Sequence, residues 1–202
     1  MRKYGMLVCG SGFNDNKYQS SRNGKTLKVY QLWYSMLLRC TEKYWIKHQT
    51  YTSTDCSENF KNYSFFYEWC QEQKGFGNNG NDNRSWQLDK DILVKGNKLY
   101  SEDTCVFVPQ NINSLLIKCD ASRGEWPVGI SWNKAKKMFK SDCSDGNGKQ
   151  RFLGYFKTTQ EAFLTYKTYK EGIIKQVANE YQTQLDSRVY QALLNYRVEI
   201  TD

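Results

Sequence analysis

The chain has 202 residues, a formal net charge of +8 and a sequence pI near 9.0, with 39% hydrophobic and 25% charged residues. That is apolar material for one large core or two small ones, and the positive balance favours polyanionic partners. No apolar run reaches the roughly 18–20 residues of a membrane span, so a membrane is excluded as a partner and nucleic acid is favoured. The opening MRKYGMLVCGSGFND is too broken by glycine for a signal peptide, which points to a cytoplasmic protein. Aromatic residues are abundant, with 15 Tyr, 10 Phe and 6 Trp. Tyr and Trp join an apolar body to a polar handle, which suits both small cores and surfaces that meet polar ligands.

Residues 1–26, rich in Gly, Asn, Ser and Lys, read as a flexible lead-in. From Val29, VYQLWYSMLLRC sets Leu32 or Trp33, Met36, Leu37 and Cys40 on one helical face. A second stripe, NFKNYSFFYEWC, spaces Phe60, Tyr63, Phe66, Tyr67 and Cys70 as a helix does, and both stripes are expected to be core. An irregular loop with His48 and Asp55 lies between them. The seven cysteines (Cys9, Cys40, Cys56, Cys70, Cys105, Cys119 and Cys143) are odd in number and form no CxxC pair, so reduced, buried thiols are expected. Cys40, His48, Cys56 and Cys70 match no zinc-site spacing.

KGFGNNGNDNRS, residues 74–85, has the composition of a linker. After it Trp86 to Val94 alternates, KGNK makes a turn, TCVFV reads as a second strand, and a helix follows Pro109 with Ile112, Leu115, Leu116 and Cys119 in register. A break at 120–126 precedes GISWNKAKKMFKS and RFLGYFKT, short strands around the polar turn SDGNGKQ. Thr158 or Thr159 then caps a helix running to about Tyr181 in a capping-box pattern. A last segment, DSRVYQALLNY, turns Val189, Leu193, Leu194 and Tyr196 inward.

Two stretches carry chemistry. In QLDKDILVKGNKLYSEDTCVFVPQNIN, residues 87–113, Asp89 lies on the first strand, Gly96-Asn97 occupies the loop, and Asn111 stands at the start of the helix. By itself this is a strand-turn-strand-helix unit with polar ends. It resembles the HNH nuclease module found in phage homing endonucleases. That resemblance implies a ββα-metal fold in which Asp89 and Asn111 hold Mg²⁺ or Mn²⁺ for phosphodiester hydrolysis, with Asp91 and Asn113 as nearby substitutes and Asp103 or Glu102 orienting the site. The family has a general-base His after the Asp, whereas this chain has Lys90, which is cationic at neutral pH and suited to hold a phosphate or the leaving oxygen. The single histidine, His48, is remote in sequence.

The second stretch covers residues 127–173. Gly129-Ile130, then Leu153-Gly154-Tyr155-Phe156-Lys157-Thr158, then Glu161-Ala162-Phe163 follow the pattern of the APETALA2/ethylene-response-factor type of DNA-binding domain, which the segment resembles. The resemblance implies a three-stranded sheet in the major groove of double-stranded DNA, backed by a helix. Trp132, Lys134, Lys136, Lys137, Lys140 and Arg151 would be its contacts to phosphates and base edges. Family positions that are usually Arg are here Ser131, Asn133 or Lys, so phosphate contact is expected to outweigh guanine reading.

The expected protein is α+β: an N-terminal helical scaffold and linker (1–85), an HNH-like ββα module (86–120), and the DNA-reading sheet-plus-helix domain with a C-terminal helix (121–202). Three functions compete: a Mg²⁺-dependent DNA endonuclease, a catalytically inactive DNA-binding protein descended from one, and an inhibitor of a host defence system that works through a host protein partner.

Overall fold

Short elements joined by polar turns build a mixed α/β chain. The computed structural model describes residues 7–80, 84–116, 124–146 and 148–202; Cys119 and the expected break at 120–126, up to residue 123, lie outside the described residues. The chain divides into two compact units. The first holds 1–78 and 86–108, and the second holds 79–85 and 109–202. The boundary after Val108 thus falls inside the stretch expected to form one ββα module.

The first unit begins with a two-stranded hairpin, β1 (Ser21–Arg22) and β2 (Lys25–Thr26). Helix α1 (Lys28–Arg39) follows and buries Val29, Trp33, Met36 and Leu37, the face its apolar spacing predicts. Where a plain loop is expected, Thr41 caps a short helix α2 (Glu42–Lys47) by accepting the Tyr44 N–H. A 3-10 turn (Gln49–Tyr51) leads to β3 (Asp55–Cys56). The second aromatic stripe is two helices rather than one. In α3 (Glu58–Lys61) and α4 (Tyr63–Glu72) the break falls at Asn62, whose side chain accepts the N–H groups of Ser64 and Phe65 and so starts a new helix. Phe60, Tyr63, Phe66, Trp69 and Cys70 are buried, while Tyr67 stacks on Tyr18 with ring centroids 4.1 Å apart.

That stacking shows that the lead-in is not loose from residue 12 onward. Phe13 exchanges backbone hydrogen bonds with Lys61 and Tyr63 (2.8 and 2.9 Å), the Ser64 hydroxyl donates to Asp15, and Lys17 and Tyr18 both donate to Glu68 (2.5 and 2.9 Å). Its polar composition hid this, because the residues that suggest a loop are partners for polar positions on α4. Strand β4 (Gln87–Asp89) pairs antiparallel with β6 (Val106–Val108), and β5 (Leu99–Tyr100) pairs parallel with β3.

The second unit holds helix α5 (Gln110–Leu116) and an antiparallel sheet in the order β7 (Ile130–Asn133), β8 (Met138–Ser144), β9 (Gln150–Phe156). Helix α6 (Thr159–Glu180) starts at a complete capping box: Thr158 accepts the Glu161 N–H and Glu161 accepts the Thr158 N–H. Asp186 caps α7 (Ser187–Leu194), which buries Val189 and Leu193. The core between sheet and helix joins Ile130, Cys143, Ala162, Tyr166 and Val198, with Phe139, Leu153 and Phe156 packed against it. The last segment is strapped to α6, since Glu171 accepts the Val198 N–H (2.9 Å) and Lys167 donates to the Val198 carbonyl. No helix among the described residues is long and apolar enough to cross a membrane.

Candidate nucleic-acid interface

Asp89 closes β4 with a turn. Its Oδ1 accepts the N–H groups of Asp91 (2.9 Å) and Ile92 (2.8 Å), the local bonding that short Asp side chains favour. Burial, and then the charge of Asp91, push the Asp89 carboxyl up to about 6. Lys90 is 8% exposed. Its ammonium donates to the Asn97 carbonyl (2.8 Å), lies 3.5 Å from the Asp91 carboxylate and 5.8 Å from the centre of the Tyr100 ring. Asn97 completes the turn: its amide donates to the Lys90 and Leu99 carbonyls, both at 2.7 Å, and its oxygen accepts the Leu99 N–H at 3.1 Å. Gly96, at φ +81°, supplies the left-handed backbone the reversal needs. A buried ammonium is tolerable when a carboxylate and a carbonyl satisfy it, so both Asp89 and Lys90 are accounted for by the turn they build.

Glu102 accepts from Ser57 (2.7 Å) and Asn59 (2.5 Å), and Asp103 is exposed. Asn111 belongs to the second unit, where its Oδ1 accepts the Ile112 N–H (3.0 Å), whereas Asp89 belongs to the first. His48 is exposed and stacks on Tyr44 with centroids 4.2 Å apart. Among the described residues no group of three or more His, Cys, Asp or Glu side chains is placed to share a metal ion. The six described cysteines are free thiols.

The raised Asp89 carboxyl makes a prediction about pH. An unfolded carboxyl takes its proton near the ordinary 3.8 and the folded one near 6. Folding therefore takes up a proton at this group between these values, and its contribution to stability falls as pH rises through that window, by on the order of 3 kcal/mol, against the opposite slope of carboxyls held low such as Asp15 and Glu171. Asp89→Asn keeps an oxygen for both backbone N–H bonds and removes the buried charge. Its melting temperature is expected to exceed that of the wild type at neutral pH and to lose this downward slope. Parallel thermal melts from about pH 4 to pH 7 test the point; equal slopes for the two proteins would refute it.

In the sheet, residues directly opposite one another share a face. Ile130, Trp132, Phe139 and Phe156 lie on the side of the helix α6, and Phe139 is flanked edge-on by Trp126 (4.9 Å) and Trp132 (4.8 Å). Ser131, Lys140 and Tyr155 form one rung on the outer side, followed by Asp142 and Phe152. Trp132 thus stands on the opposite face from Lys140, and Arg151 lies across from the core residue Cys143. Lys134, Lys136 and Lys137 are exposed at the β7–β8 turn, with Lys137 at φ +51°.

The aromatic surface of the outer face comes from residues that sequence reasoning missed. Phe152 is 54% exposed, and its ring lies 4.9 Å from that of Tyr155, tilted by 56°. Lys136 places its ammonium 4.4 Å from the centre of the Tyr155 ring, and Lys140 lies 5.8 Å from that of Phe152 while pairing with Asp142 at 2.7 Å. The phase of strand alternation was the available signal, but a register shift on β8 between Ser141 and Asp142 reverses it along β9. Comparison with family models, curated proteins and solved structures gave no match.

Proposed function

We propose that the chain is a DNA-binding protein that holds its target on the outer face of β7–β8–β9 and the basic β7–β8 turn. The observation that carries this reading is the pair of lysines, Lys136 and Lys140, resting over the Tyr155 and Phe152 rings on the sheet face turned away from the core. Both ammonium groups stand on that outer face, within side-chain reach of a bound phosphate. Lys134 and Lys137 extend the same positive surface, and the net charge of +8 draws a polyanion from a distance. Asp89 and Lys90 have turn-building roles in this reading, and the protein binds DNA without cutting it.

Phosphate neutralisation makes affinity fall as salt rises, with a slope of about −0.9 per contact on duplex DNA. Fluorescence anisotropy with a labelled oligonucleotide from about 50 to 200 mM salt measures that slope. The double variant Lys136→Glu, Lys140→Glu is expected to bind at least about tenfold more weakly and with a slope shallower by about two. Plasmid incubated with the protein and Mg²⁺ or Mn²⁺ is expected to shift on a gel and stay uncut. Affinity unchanged in the double variant would remove this face as the binding surface.

A further inference from the structure

We infer that this face takes unpaired bases, so that a DNA strand opened out of its duplex is bound in preference to the closed duplex; the inference rests on the DNA-binding reading above. It starts from a backbone irregularity. Phe152 and Tyr155 are three residues apart, and in a regular strand side chains at that spacing point to opposite faces. Here Ser141 pairs with Gly154 and Asp142 with Phe152, so one step along β8 spans two along β9. The extra residue, Leu153, packs against the core, and Gly154 takes φ +145°, a conformation that side chains rarely adopt. The bulge brings both rings to the outer side, where they touch.

The chemistry of those rings selects the ligand. A phenyl group has no hydrogen-bonding atom and reads nothing from the polar base edges that a closed duplex offers in its grooves. Its flat face matches the flat face of a base, which becomes available only when the base leaves its stack. Phe152 is too exposed to contribute to the core, which lies on the other side of the sheet. The lysines complete the arrangement. Stacking of a base on a ring is the stronger contact and an exposed ammonium over a ring the weaker. An incoming strand therefore displaces Lys136 and Lys140 from the rings onto its phosphates, and the bases take their place.

The test uses the full chain and one labelled mixed-sequence oligonucleotide, alone and annealed to its complement, at matched salt. The single strand is expected to bind at least about tenfold more tightly than the duplex. Phe152→Ala is expected to lower single-strand affinity by about five- to tenfold and duplex affinity by less than about twofold. Phe152→Leu, which keeps an apolar side chain without an aromatic face, is expected to behave in the same way. A 2-aminopurine in the strand is expected to change its emission on binding to the wild type and much less with either variant. Thermal melts of both variants within a few degrees of the wild type exclude misfolding as the cause. Equal affinity for the two DNA forms, with the Phe152 variants neutral and the lysine double variant still impaired, would overturn this inference and leave the DNA-binding reading standing. No binding to either form would overturn both.

Discussion

Gly129→Val is expected to unfold the C-terminal unit, with a loss of about 4 kcal/mol or more. Gly129 has φ +75°, where a β-branched residue is strained. A Cβ there would lie 2.3 Å from Cδ2 and Cε2 of Tyr166 and 2.7 Å from the Asp142 carbonyl oxygen. Neither obstacle yields easily. Tyr166 is 6% exposed within the sheet-helix core, and the Asp142 N–H is hydrogen-bonded to the Gly129 carbonyl at 2.9 Å. Relieving the clash therefore means parting α6 from the sheet. Against a typical total of roughly 5–15 kcal/mol for a domain, such a loss leaves little folded protein at physiological temperature. Limited proteolysis and circular-dichroism melts provide the check, with Gly129→Ala expected between wild type and valine. A valine variant that melts within a few degrees of the wild type would show that the close approach is not needed.

Trp33→Ala should be the most damaging truncation in the first unit. Trp33 is fully buried, lies among Tyr30 and Tyr63 at centroid distances of 5.5 and 5.3 Å, and donates its indole N–H to the Phe60 carbonyl at 2.8 Å. Removing a buried indole costs about 3–5 kcal/mol, and the Phe60 carbonyl left without a donor adds on the order of 1–3 kcal/mol. Gly12 packs against the same ring: a Cβ at that position would come within 2.9 Å of it. The cavity would thus undercut the contact between the N-terminal segment and α1 as well as the α1–α4 packing. A fall in melting temperature of at least about 10 °C is expected, partly restored in Trp33→Phe. A fall of only a few degrees would mean that the neighbouring rings close the gap.

Much of the architecture was legible because the signals are local. The 3.6-residue spacing of Val29, Trp33, Met36 and Leu37 announces α1, and Thr158 with Glu161 announces the start of α6. Strands near 87 and 106 and on either side of the SDGNGKQ turn follow from alternation and glycine turns, although the first of them ends at Asp89 and not at Val94, and β5 was not foreseen. What was not legible depends on partners distant in the chain. The N-terminal segment looks like a loop until Glu68 and Ser64 are seen to receive it. Lys90 suggests a phosphate ligand by its charge, yet its ammonium is turned onto the Asn97 carbonyl, a choice set by the fold of the turn. The basic residues of the sheet were named from the motif resemblance alone. Their aromatic companion Phe152 was not, because its place on the same side as Tyr155 depends on a pairing irregularity between Ser141 and Asp142 that no local pattern encodes.

The Trp126–Phe139–Trp132 stack has an optical consequence. Both indoles belong to the helix side of the sheet, behind the surface proposed for DNA. The emission of Trp126, which packs against the sheet–helix core, therefore responds to that packing, while a ligand on the far side meets phenylalanine and tyrosine, which contribute little light at indole wavelengths. Integrity and occupancy of this unit are written in separate chromophores.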